Sequence, residues 1–95
     1  MNDATTAKVL VSSRTGTSTY FNAGNNVGIG TSTPSSQALL ELVSTNKAFL
    51  IMRMTATQAS AITPASGMGL YVTDTNGTFL TAGFWKYEEG VWLPW

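Results

Sequence analysis

The chain has 95 residues, enough for one small domain, and a chain of that size leaves roughly a third or more of its unfolded surface in water even when folded. Five basic and five acidic residues cancel, and there is no histidine and no cysteine, which excludes a disulfide framework, a thiolate metal site and any histidine-based metal or general-base chemistry. The basic residues Lys8, Arg14, Lys47, Arg53 and Lys86 are scattered, so no patch for nucleic acid or an anionic membrane is visible.

Charge is scarce at 11%, against 43% apolar residues, and the polar balance is made up by Thr, Ser and Asn. Hydroxyls and amides are buried between subunits at lower cost than charges, because they satisfy one another across a contact. The composition therefore points to an obligate homo-oligomer. The start, Met1 to Thr6, has neither a basic nor an apolar stretch of the kind a secretory signal needs, and no run approaches the ~20 apolar residues of a membrane span. The expectation is a soluble chain made in the cytoplasm, with no membrane partner.

Residues 1–25 combine Thr, Ser, Asn and Gly with two short apolar patches, Val9-Leu10-Val11 and Tyr20-Phe21, flanked by turn residues. They predict short strands or an extended arm that packs on something else, since the region holds too little to form a core. Asn26 to Pro34, NVGIGTSTP, threads Val27 and Ile29 between Gly28 and Gly30 and predicts a brief strand running into a turn. From Ala38 to Val43 propensity favours helix, whereas the shortness of the run and its Ser/Thr/Asn bounds favour a strand, the reading adopted here. Lys47 to Met54 is apolar on both faces and predicts a strand covered on both sides.

Thr55-Ala56-Thr57-Gln58 matches a capping box and predicts one short helix through Ile62, stopped by Thr63-Pro64. A β-meander follows in this reading. Leu70–Thr73 is a strand, Asn76-Gly77 a hairpin turn, Thr78–Thr81 the returning strand, Phe84–Tyr87 and Val91–Leu93 the last two. Domain boundaries fall at 1–25 for the arm and 26–95 for a β-rich module.

Taken in order, Val27 to Pro34, Leu40 to Val43, Ser44 to Leu50, Arg53 to Ile62, Gly69 to Asn76 and Tyr87 to Trp92 resemble a modular segment of bacteriophage tail-fibre and virion-surface proteins, also found in repetitive surface proteins of bacteria. The pattern is VGIGTxxP, a short apolar strand, SxxKGFL, RMTxxQ, GLxxYxTDTN and YxGxxW. Ala48 stands where glycine is usual, and Ile51-Met52 replace a common Pro-Pro. The resemblance implies a mainly β fold with one short helix, built as an intertwined homotrimeric fibre or knob of short antiparallel strands on a virus particle. It implies no cofactor.

On that resemblance the trimer core takes Val27, Ile29, Leu40, Leu42, Phe49, Leu50, Ile51, Met52, Ile62, Leu70, Val72, Trp85 and Trp92. The arm, through Val9, Leu10, Val11, Tyr20 and Phe21, is the candidate attachment to the major capsid protein. A single module beginning at a methionine suits a small capsid decoration or head-fibre protein on the capsid exterior. The alternative is a tail-fibre module that recognises a host surface glycan, with Tyr87 and Trp95 offering the ring faces on which sugars stack. An enzyme is the least favoured class. Asp3, Glu41 and Asp74 are isolated, and Glu88 and Glu89, adjacent on a strand, point to opposite faces. Gly28-Ile29-Gly30 lacks the Lys-Ser/Thr that a phosphate loop requires. Arg53, inside an apolar run, needs a partner across a subunit boundary or at a chain terminus.

Overall fold

The computed structural model describes residues 9–21, 24 and 26–95. The protein is mainly β with one short helix. Its contacts group it into two compact units, Met1–Ala48 and Phe49–Trp95.

The N-terminal unit holds two small two-stranded sheets. In the first, β1 (Val9–Leu10) pairs antiparallel with β2 (Tyr20–Phe21), Val9 opposite Phe21 and Leu10 opposite Tyr20. The chain reverses at Arg14–Thr17, where the Thr17 amide donates to the Arg14 carbonyl at 3.2 Å and Gly16 takes φ +82°, the positive value a type II turn demands at its third residue. In the second sheet, β3 (Val27–Ile29) runs parallel to β4 (Leu40–Leu42). The Ser/Thr/Pro connection between them is clamped from both strands: the Asn26 side-chain amide donates to the carbonyls of Pro34 and Ser35, and the Glu41 carboxylate accepts the Ser35 amide at 2.7 Å. Gly28 and Gly30 are required by this path. A Cβ at Gly28 would meet Thr31, and one at Gly30, which also sits at φ +86°, would run into the Val43 carbonyl.

In the C-terminal unit β5 (Arg53–Met54), β6 (Gly69–Val72), β7 (Gly83–Glu88) and β8 (Val91–Pro94) form one sheet in that order. β5 lies parallel to β6, and the other two pairings are antiparallel. The helix α1 (Ala56–Ser60) is too short to hold itself together and is fixed by its N-terminus. Thr55 Oγ1 accepts the Gln58 amide at 3.2 Å, Gln58 Oε1 accepts the Thr55 amide at 2.9 Å, and Asp74 Oδ1 accepts the Ala56 amide at 2.7 Å. The expected capping box is present. Ala56 and Ala59, one turn apart, are buried against Leu70, Val72 and Trp85 on one face of the sheet.

Phe79 completes that core without belonging to any strand. Its ring is fully buried, edge-on to Trp85 at 5.2 Å and tilted against Trp92 at 5.3 Å. Asn76 puts it there. Asn76 Oδ1 accepts the amides of Thr78 at 2.9 Å and Phe79 at 2.8 Å, its backbone amide donates to the Phe79 carbonyl at 2.8 Å, and its Nδ2 donates to Ser60 Oγ at 3.0 Å. The Trp85 indole closes the loop by donating to the Thr81 carbonyl at 2.9 Å.

Several expectations are corrected. Thr78–Thr81 is not a strand returning from an Asn-Gly hairpin, because the Asn76 side chain takes the two amides that a strand would offer to β6; the strand that pairs with β6 is β7. Lys47 to Met54 is strand only at Arg53–Met54. In the register that sets Arg53 beside Tyr71, Ile51 stands beside Gly69, where β6 begins, so the residues before it have no strand to pair with. Pairing is not antiparallel throughout, since β3–β4 and β5–β6 are parallel. The ambiguous run near Leu40 is a strand at Leu40–Leu42. Of the expected arm, residues 1–8, 22, 23 and 25 lie outside the described residues, and residues 26–48 group with the arm in the N-terminal unit.

Asn76→Ala removes two acceptor contacts and one donor contact around a buried ring, and is expected to destabilise the protein by about 2–3 kcal/mol in urea unfolding at fixed chain concentration, whereas exposed Thr75→Ala stays within about 0.5 kcal/mol. The two-residue turn joining β7 to β8 places Glu89 at φ +48° and Gly90 at φ +87°, a type I′ geometry that a glutamate adopts at a cost. Glu89→Asn is expected to stabilise by about 0.5–1 kcal/mol in the same measurement.

Candidate trimerisation surface

The register of β3 and β4 decides which side chains share a face. Val27 stands beside Leu40, Gly28 beside Glu41 and Ile29 beside Leu42, so alternation places Val27, Ile29, Leu40 and Leu42 together and turns Glu41 to the other side. The described residues of this unit cover that apolar face only in part: Val27 is half-buried, and Ile29, Leu40 and Leu42 are 41% to 61% exposed. Parallel pairs are found buried on both faces, and a lone two-stranded sheet is marginal in water. Among the described residues of the N-terminal unit whose burial is defined, none is buried, so this pair draws little cover from the described residues of its own unit.

The C-terminal sheet has a closed face and an open one. Trp85 and Tyr87 alternate with Phe84, Lys86 and Glu88 along β7, and the Trp85 side carries the core. On the open side Phe84 meets Tyr71 edge-on at 5.0 Å and Trp95 edge-on at 6.2 Å. The Trp95 amide donates to the Phe84 carbonyl at 3.0 Å, which ties the last residue to the sheet. Trp95 also covers Gly69, where an added Cβ would come within 3.1 Å of its ring. Phe49, Ile51, Phe84 and Trp95 line an open groove of about 400 Å³. Lys86 and Glu88 on this face form an ion pair at 3.0 Å, and it is solvent-exposed, so it adds little stability.

The residues assigned to a trimer core from the sequence thus separate into three groups. Leu70, Val72 and Trp85 are buried by their own chain, with Ile62 and Trp92 packed against them, and form the core of the C-terminal unit. Val27, Ile29, Leu40 and Leu42 share the uncovered face of the parallel pair. Phe49, Leu50 and Met52 are exposed, and Ile51 is half-buried beside Gly69. Phe84, Leu93, Leu39 and Val43 are exposed apolar residues that the sequence reading passed over. Phe84 was legible in principle, since strand alternation sets it opposite to Trp85.

The other assigned residues fall elsewhere. In the arm Val11, Tyr20 and Phe21 are exposed, Val9 and Leu10 pair through their backbones, and their side chains lie outside what the structure describes. Tyr87 and Trp95 do not make one sugar-stacking platform. Tyr87 is half-buried on the core side against Trp92, at 5.2 Å, whereas Trp95 lies on the open side. Arg53 is exposed beside Tyr71, and among the described residues no carboxylate pairs with it in its own chain. No group of three or more metal-ligating side chains occurs among the described residues. What this surface can do is bury apolar area.

A family model described as a phage tail like trimerisation region matches residues 28–95. The chain belongs to that family. No curated protein and no solved structure matches it. Membership makes the chain a phage fibre-type structural protein that self-associates as a homotrimer, and the matched region takes in the β3–β4 pair from Gly28 onward and the whole C-terminal unit. Among the described residues no helix is long and apolar enough to cross a membrane.

Two substitutions separate backbone from surface in this trimerisation region. Gly30→Ala is expected to abolish the β3–β4 pairing, read as loss of amide-exchange protection at Val27 and Val43, because its Cβ has nowhere to go. Ile29→Lys leaves the backbone path intact and sets a charge on the apolar face, so the trimer is expected to dissociate at higher chain concentration in sedimentation velocity, by on the order of tenfold or more.

Proposed function

We propose that the chain is a non-enzymatic capsid decoration protein, a trimer that binds the major capsid protein on the exterior of a phage head and reinforces the shell through its three arms. The observation that carries this reading is the β1–β2 hairpin. It lies outside the matched residues 28–95 and presents Val11, Tyr20 and Phe21 to solvent with no core beneath them. An exposed apolar hairpin is suited to docking, and three copies on one trimer raise a weak single contact to a strong one through effective concentration. The absence of histidine and cysteine supports a role without catalysis.

The second reading is a tail-fibre module that recognises a host glycan, and exposed Trp95 favours it. The surroundings of Trp95 favour it less: the groove beside it is lined by Phe49, Ile51 and Phe84, none of which supplies the side-chain hydrogen bonds a sugar's hydroxyls need.

Copy number on purified particles tests the proposal. Hundreds of copies spread over the head are expected; a handful located at the tail would exclude decoration. Val11→Asp with Phe21→Asp is expected to abolish binding to particles stripped of the protein while the variant still sediments as a trimer. A variant that binds normally would remove the hairpin from the attachment.

A further inference from the structure

We infer that the trimer contact in the C-terminal unit is a knob-in-groove joint between successive copies, in which Leu50 and Met52 of one chain fill the groove formed by Phe49, Ile51, Phe84 and Trp95 of the next. This rests on the family-level reading that the chain is a homotrimer. Residues 49–52 lead into β5 without a bend, the Met52 carbonyl already accepting the Tyr71 amide of β6 at 2.9 Å, so successive side chains alternate sides. Phe49 and Ile51 line their own chain's groove, and Leu50 and Met52, 66% and 61% exposed, are not part of that lining. One segment therefore carries a wall of a groove and, out of phase with it, an apolar projection that its own chain does not cover.

That pairing of unlike surfaces is what three-fold symmetry needs. A ring contact is heterologous: each copy gives one surface to the neighbour on one side and a different surface to the neighbour on the other. Phe49 and Trp95 are 71% and 72% exposed and Phe84 about half, so with Leu50 and Met52 the joint would bury on the order of 600 Å² of apolar surface per contact. This is a little over a third of a standard interface of about 1,600 Å², and it matches the largest patches a soluble monomer usually leaves open, roughly 300–600 Å². The β3–β4 face, within the same matched region, is available for the remainder. The groove's lining is predominantly apolar, which favours an apolar occupant over a sugar or a charged peptide.

The absence of cysteine gives a clean background for the test. In the full-length chain Leu50→Cys combined with Phe84→Cys, under mild oxidation, is expected to give covalent dimers and trimers on non-reducing gels, while each single variant gives no trimer. If the double variant sediments as a trimer yet forms no bond between chains, or only a bond within one chain, the joint is wrong and the trimer stands. If the unmodified chain sediments as a monomer, the family-level reading fails with it. As a second arm, Leu50→Asp with Met52→Asp alters exposed positions only. It is expected to keep the circular dichroism of the wild type and to raise the concentration at which the trimer dissociates by on the order of a hundredfold. An unchanged dissociation profile would overturn the inference.

Discussion

The C-terminal unit depends on one side chain amide. Asn76 gathers the amides of Thr78 and Phe79 on its oxygen and reaches Ser60 with its nitrogen, and this is what carries the Phe79 ring from a loop with no strand into the space between α1 and the sheet. Two residues earlier Asp74 holds the first amide of the same helix. The polar run Thr73–Asn76 and the segment Arg53–Gln58 are thus two sides of one local structure. Without the Asn76 contacts the core would lose its largest fully buried side chain, and Ala56 and Ala59 would face a void.

That core is small. Among the residues whose burial is defined six are buried, two of them alanines and all in the C-terminal unit, and so much apolar surface stays uncovered that one chain falls short of a self-sufficient globule. The shortfall has a direction. Large exposed side chains concentrate on the β3–β4 face and on the open side of the C-terminal sheet, while charged groups are few. Assembly into a trimer is, on this account, part of folding and not an addition to it.

Features governed by neighbours in sequence were legible before the structure. The capping box at Thr55 and Gln58 joins groups three residues apart, and the strands at Leu70 and Val91 follow a period of two. The strands near Val27 and Leu40 were legible too, but their parallel pairing was not, because nothing local distinguishes parallel from antiparallel pairing. The Asn-Gly signal misled for a physical reason: an Asn side chain that binds the next two or three amides competes with the hairpin it would otherwise start. Phe79, read as a strand residue, owes its burial to that competition. As for the candidate site, the apolar residues near positions 27–29, 40–42 and 49–52 were picked out by type, but which of them share a face follows only from register.

The topology also orders events in time. β6, β7 and β8 follow one another along the chain and α1 lies just before them, so the contacts of the C-terminal unit close short loops and form within a single copy without waiting for a collision. The parallel pair β3–β4 has no such independence, because a lone two-stranded sheet is marginal in water and its apolar face stays largely exposed among the described residues of its unit. The stability of the β3–β4 pair is therefore tied to chain concentration more closely than that of the sheet and helix that follow it.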